Sequence, residues 1–311
     1  MRDIVTREVV VGVSTAICLP ALQAAAQEAT RRRCGVQLLH VIAPVYASHP
    51  RIEELDQIAG ELRQAGMAVL VDAARTLEEL LSPRLPSGDV VVSTQLCHGA
   101  VVSSLVEAST HACLLVLQQH DERPRLLSII QAVTARADCP VLVVPERWHP
   151  EEPADQAWIV AGVDNASSSA RVIRAALTEA SRRHARLRLV HGVDDHPKGG
   201  DALDASARDA WLRMEHRALE ADLSDLCGTR PGVAVTPEVV PQAPAAAVVT
   251  RSQGAALVVV GRGHSRLPFV HRPGPVTTDV LLHAGCPVLV VDDEPPGPAP
   301  RVRRLSEVAI P

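Results

Sequence analysis

The residues best placed to do chemistry lie between two apolar runs near the C-terminus. Val258-Val259-Val260 leads into Gly261, Arg262 and Gly263, and the chain returns at Gly274-Pro275-Val276-Thr277-Thr278 before Cys286-Pro287-Val288-Leu289-Val290-Val291. An apolar strand, a glycine-bearing loop and a helix entered at Gly274 form the arrangement in which an α/β protein offers backbone N–H groups to a phosphate. Glycines let the backbone approach an anion closely. The N–H groups of Val276 and Thr277, the hydroxyls of Thr277 and Thr278, and the positive charge of Arg262, Arg266, His271 and Arg272 would serve the same anion. Pro275 has no N–H and removes one donor from the tightest part of the cradle. It is equally a favourable first residue for a helix, so a purely structural reading of this entry stays open.

Such a loop needs strands and helices to hold it, and the chain supplies them twice. In the first half, strands are expected at Glu8–Val13, Gln37–Ile42, Asp89–Ser93, Ala112–Leu117 and Pro140–Val144. Helices are expected at Ala21–Arg33, Ala100–Ser109 and Leu126–Ala137. Arg51–Leu81 reads as one long helix or two in series, with Met67–Val71 open to a strand reading. The proline-rich segment 146–155 is read as a linker. The pattern then restarts, with strands at Trp158–Val163, Arg186–Val190, Val233–Val240 and the Val258 run. Helices are expected at Ser169–Arg183, Ala202–Leu226 and Ala245–Ser252. Strands apolar on both faces, alternating with helices, describe a parallel sheet covered on both sides. Cys-Pro-Val-Leu-Val-Val is identical at Cys139–Val144 and Cys286–Val291, and His40 matches His191, so two domains of one fold stand in tandem. The expected division is 1–145 and 156–292, with 293–311 as a disordered tail.

Composition narrows the function. The 311 residues have room for two cores. Aromatics at 2% are too few for stacking on single-stranded nucleic acid, and a net charge of −5 gives no general attraction to nucleic acid or anionic lipid. Seven scattered cysteines without a C-x-x-C pair argue against a disulfide framework or a zinc site. No apolar run approaches a membrane span. The expectation is a soluble, cytoplasmic protein with no nucleic-acid or membrane partner.

With Gly162-Val163-Asp164-Asn165-Ala166-Ser167 after the first strand of the second domain, Val190-His191 ending its second strand, and His283 to Val291 at its end, the chain resembles the universal stress protein family. The resemblance covers nearly the whole chain outside linker and tail. It implies two Rossmann-like domains, each a five-stranded parallel sheet with helices on both faces, binding of ATP or AMP with Mg²⁺ held mainly by phosphates, a role in stress response, and pairing of domains or a homodimer. The family's nucleotide motif, G-x2-G-x9-G-[ST], places its first glycine on Gly261 and its third on Gly274. The second falls on His264, one place after Gly263, and the Ser/Thr on Pro275. The resemblance thus implies a nucleotide site of Val163, Asp164, Val260, Gly261, Gly274, Val276 and Thr277, with Asp164 on the nucleoside. Gly192 stands where family members pack a side chain on the base.

The first domain has Ser14 in place of the Asp, Gln118 in place of Gly261 and Leu127 in place of Gly274, so no nucleotide is expected there. Asp194-Asp195-His196 suggests a hard metal site, but a solvated loop is the simpler reading. His40 and His191 read as structural hydrogen-bonding residues, Ser167–Ser169 as an N-cap cluster and Cys139 and Cys286 as core. No common hydrolase motif is present, no catalytic residue is assigned, and slow ATP hydrolysis is the most that is expected of the site. The alternative is a ligand-free module that associates through its edge strands.

Overall fold

The computed structural model describes residues 7–14, 18–44, 52–82, 90–120, 124–150, 157–165, 168–193, 205–227, 232–263 and 272–293. The N-terminal domain runs β1 (Glu8–Gly12), α1 (Leu19–Arg32), β2 (Val36–Ile42), α2 (Ile52–Leu81), β3 (Val92–His98), α3 (Val101–Ser109), β4 (Ala112–Gln119), α4 (Pro124–Thr134) and β5 (Val141–Pro145). The C-terminal domain repeats the order as β6 (Trp158–Gly162), α5 (Ala170–Arg183), β7 (Arg186–Gly192), α6 (Ala205–Cys227), β8 (Val235–Val240), α7 (Pro244–Ser252), β9 (Leu257–Gly261), α8 (Pro275–His283) and β10 (Val288–Val291). Within each domain the ladders are parallel, in the order 3-2-1-4-5. The α/β architecture and its duplication agree with the sequence reading.

The domains join edge to edge. β5 pairs with β10 antiparallel, which merges the halves into one ten-stranded sheet. Leu142 faces Leu289, Val143 faces Val288 and Val141 faces Val290. Because these residues belong to the repeated hexapeptide, a pseudo-twofold axis passes between the two leucines. Each face of the long sheet carries one continuous core. The first gathers α1, α2, α5 and α6 with residues such as Ala25, Leu70, Ile173 and Leu219. The second gathers α3, α4, α7 and α8 with Leu105, Ile130, Ala247 and Val280.

The axis is repeated in charge. Glu28 and Arg32 on α1 meet Glu179 and Arg183 on α5: Arg32 pairs with Glu179 at 2.8 Å and Arg183 with Glu28 at 2.5 Å, across the seam. Each arginine also pairs with the glutamate of its own helix. Both carboxylates are buried, and burial alone would raise the pKa of Glu179, but Arg183 and Arg32 outweigh it and hold the carboxyl below its usual range.

One open expectation is settled as a single helix, and one shifts. Met67–Val71 is helical within the single helix α2: Leu70, Ala73, Leu77 and Leu81 are buried at helical spacing, whereas Met67 and Val71 face solvent. The third strand is not Asp89–Ser93 but Val92–His98, a half-exposed edge strand that pairs, among the described residues, with β2 alone. An edge strand has one ladder partner and a thin covering, so a polar Ser-Thr-Gln stretch is tolerated there while the apolar Val90-Val91 lies before it. At the opposite edge β8 accommodates Pro237, whose missing N–H such a position tolerates. Among the described residues no helix is long and apolar enough to cross a membrane.

Candidate functional site

The carboxyl ends of β6, β7 and β9 open onto a cavity of about 290 Å³. Its first wall is the turn after β6. The Asp164 N–H donates to Ser169 Oγ at 2.9 Å and the Ser168 N–H to Asn165 Oδ1 at 2.9 Å, so the chain is folded back into the start of α5 by side-chain acceptors. This leaves the Asp164 carboxylate exposed, with Asn165 Nδ2 donating to it at 3.3 Å. Ser169 stands at the N-cap position of α5, but its hydroxyl caps no helix N–H and serves the preceding turn instead, while Ser167 lies outside the described residues.

The second wall is the end of β7. His191 Nδ1 donates to the Val163 carbonyl at 3.0 Å, and His40 Nδ1 does the same to Val13 at 2.7 Å in the other domain. Both histidines therefore brace the loop after the first strand of their domain, a structural role. Gly192 follows, and a Cβ there would come within 2.6 Å of Pro244 Cα and 2.9 Å of the Gln242 carbonyl. Residue 192 can carry no side chain because the approach to α7 passes against its backbone.

The third wall is the glycine loop. β10 pairs with β9 so that Val291 aligns with Gly261, and the Arg262 N–H bonds the Val291 carbonyl at 3.0 Å. Gly263 has φ 67°, and a Cβ on it would stand 2.9 Å from Gly274 Cα. Only glycine suits both demands. The Gly274 N–H closes the loop on the Arg262 carbonyl at 2.7 Å, and α8 begins with Pro275. As first-turn residues, Val276 and Thr277 have N–H groups with no intrahelical partner.

Of the residues singled out from the sequence, Val163, Asp164, Val260, Gly261, Val276 and Thr277 line this one cavity, and Gly274 stands behind Gly263 at its edge. Three expectations are corrected. Thr277 Oγ1 donates to the Gly261 carbonyl at 2.6 Å and Thr278 Oγ1 to the Pro273 carbonyl at 3.4 Å, so both hydroxyl protons hold the loop closed instead of pointing at a ligand. Arg262 turns away: its guanidinium bonds the Ala137 carbonyl of the other domain and lies 3.7 Å from Asp292. Asp293, assigned from the sequence to the tail, enters the cavity, where its carboxylate accepts the Gly263 N–H. Arg171 steadies this segment by bonding Asp292 at 2.8 Å. The signal was available, since parallel strands in register bring the residues after β10 beside the residues after β9. His264, Arg266, His271, Asp194, Asp195 and His196 lie outside the described residues, and among those described no group of three or more side chains is arranged for a metal.

The corresponding region of the N-terminal domain is a cavity of about 380 Å³. It is walled by Leu105, Leu117 and Ile130, and α2 covers it with Leu62 and Gly66. Gln118 occupies the place of Gly261 and accepts the Ala21 N–H at 3.3 Å, which fills the position where a phosphate loop would have to open. Leu127 lies inside α4, so there is no glycine entry to that helix.

Comparison with known proteins agrees with this architecture. Among curated proteins, a universal stress protein of Mycobacterium tuberculosis, Rv2623, is 29% identical over 78% of this chain and 81% of its own. A second from that organism, Rv1996, is 27% identical over 94% of this chain and 97% of its own. The crystal structure of a universal stress protein from Archaeoglobus fulgidus superposes with a TM-score of 0.63 at 14% identity, covering 93% of this chain and 97% of that one. The sequence model of the universal stress protein family matches twice, at residues 6–145 and 158–292, and the chain belongs to the universal stress protein family.

Proposed function

We propose that the C-terminal domain binds an adenine nucleotide, ATP or AMP, and that the protein acts as a nucleotide-responsive member of a stress response, working in the cytoplasm. The observation that carries this reading is the convergence of Asp164 from the β6 end, Gly261 and Gly263 from the β9 end and the first turn of α8 on one cavity. The nucleoside would lie between Val163, Val260 and Pro244, with Asp164 accepting from ribose hydroxyls. The phosphates would take the N–H groups of Gly263, Val276 and Thr277. Occupancy requires the Asp293 carboxylate to leave, because it holds a position on the Gly263 N–H that a phosphate oxygen would take. With Asp293 inside, the cavity is just below the usual range of about 300 to 1,000 Å³ for small-molecule sites. Mg²⁺ would be held mainly by the phosphates, with Asp164 as a nearby oxygen donor. Turnover is not needed for such a role.

A second reading, a ligand-free association module, draws on the same carboxylate: an anion already seated in an anion cradle makes the site self-satisfied. Thermal unfolding of the full chain with ATP or AMP, each with and without Mg²⁺, separates the two. A nucleotide-dependent rise in the transition supports binding, and its absence at millimolar nucleotide overturns it in favour of the association module.

A further inference from the structure

Two thiols that no local motif links meet on the opposite face of the sheet from α8. Cys34 follows α1, where Arg33 takes the left-handed conformation (φ 53°) and ends the helix, and the Cys34 N–H bonds back to the Ala29 carbonyl at 3.2 Å. Its Sγ lies 3.9 Å from the Sγ of Cys113. Cys113 is the second residue of β4, and the ladder between β4 and β1 slips there: Glu8 aligns with Ala112 but Val9 aligns with Leu114. Cys113 is therefore the extra residue of a β-bulge. The side chains bear this out, since Ala112 packs into the core under α3 and α4, whereas Cys113 and Leu114 in succession both pack toward α1. A regular strand would alternate; the bulge re-aims Cys113 onto Cys34.

The repeat supplies a control. The C-terminal domain has the same left-handed turn at His184 (φ 51°), with the next N–H bonding the Ala180 carbonyl at 2.9 Å, but the residue is Ala185, and the counterpart of Cys113 is Ala256. The fold does not need sulfur at either place.

The pair is reachable and sits in a positive field. Cys34 and Cys113 line a cleft of about 490 Å³ with Arg7, Arg32, Arg33, Arg174 and Arg182 against Glu179. Cys34 is 8% exposed and Cys113 half-buried. The Cys113 thiol donating to Cys34 lowers the Cys34 pKa, with burial and Glu8 opposing and Arg32 assisting. The same hydrogen bond, with burial, pushes Cys113 up. The two sulfurs are thus unlike, one suited to attack and one to follow.

We propose that Cys34 and Cys113 form a reversible, peroxide-sensing disulfide pair. The Cys34 thiolate attacks the distal oxygen of a hydroperoxide, forming an S–O bond and breaking the O–O bond, and the departing alkoxide or hydroxide takes a proton. The Cys113 sulfur then attacks the Cys34 sulfenic acid, forming S–S and expelling hydroxide, which leaves as water with the Cys113 proton. Two thiols and one hydroperoxide become a disulfide, an alcohol (or water) and one water. The sulfurs need to close from 3.9 Å to about 2.05 Å. The bond would staple the end of α1 to β4, two residues from Arg32 and its ion pair with Glu179 across the seam. Redox state would thereby reach the contact between domains.

The test treats the reduced full chain with hydrogen peroxide, blocks free thiols with N-ethylmaleimide and maps digests under non-reducing conditions. The expected result is loss of two of the seven free thiols, a 34–113 crosslinked peptide two hydrogens lighter than its reduced parts, and reversal by dithiothreitol. In Cys113→Ala, Cys34 should accumulate as sulfenic acid trapped by dimedone, and in Cys34→Ala no crosslink to Cys113 should form. Both changes copy the alanines of the other domain, so both variants should unfold at wild-type temperature. Oxidation of Cys34 no faster than of the buried Cys139 and Cys286, or a crosslink that excludes it, overturns the proposal.

Discussion

At the entry of α8 one missing hydrogen separates a well-started helix from a better phosphate site. Replacing Pro275 with Ser restores an N–H to the first turn of α8, and a hydrogen bond to a charged group is worth roughly 1.5 to 3 kcal/mol. Calorimetric titration of Pro275→Ser should show about one to two decades tighter nucleotide binding; unchanged affinity would show that the phosphates do not lie there. Asp293→Asn keeps an acceptor for the Gly263 N–H but removes the competing charge. Its nucleotide affinity should rise several-fold, roughly the 1 kcal/mol of a partly exposed charge interaction, and more for ATP than for AMP. Equal affinity in the variant would mean that the carboxylate leaves without resistance. The difference between these residues also explains what could be read in advance. Gly261 and Gly274 declare themselves because backbone geometry dictates residue type locally. Asp293, the hydroxyl bonds of Thr277 and Thr278, and the turning away of Arg262 arise from strand register and from the other domain, which local spacing does not contain.

Among the elements, α1 and α5 depend most on charges that no single helix satisfies. Glu179 has its pKa depressed in the folded state, so its contribution to stability is complete above the ordinary carboxylate value of about 4.3 and is lost as pH falls through the lower folded value. Denaturant titrations of Glu179→Gln should show a loss of about 3 to 5 kcal/mol at neutral pH, the cost of leaving Arg32 and Arg183 to share Glu28 with one buried positive charge uncompensated. The gap to wild type should narrow steadily below about pH 4; a gap constant with pH would assign the loss to packing. The periodicity of α1 and α5 was legible because their buried stripes are alanine-rich and regular. α2 was ambiguous where Met67, Val69 and Val71 alternate like a strand, and β3 was misplaced because an edge strand has little apolar surface to bury. The β4 bulge left no mark in the sequence, since a register slip is a relation between two strands.

For the molecule as a whole, duplication has kept the seam alike and let the sites diverge. The hexapeptide and the Glu-Arg pairs stand in both halves, while the glycine loop stands in one and Gln118 closes the other. Nucleotide should therefore bind with one equivalent per chain along a simple hyperbola, as equilibrium dialysis would read directly. Two equivalents, or a sigmoid, would mean that the N-terminal cavity also accepts nucleotide. The axis between Leu142 and Leu289 has a further effect. A strand that pairs antiparallel with a copy of itself is complementary to every other copy, including those on neighbouring chains. Covalent tethering keeps the internal partner at an effective concentration in the millimolar range, so in dilute solution each chain closes on itself. Where many chains fold at once in a confined volume, halves of different molecules can exchange, with the same contacts formed between chains that are otherwise formed within one.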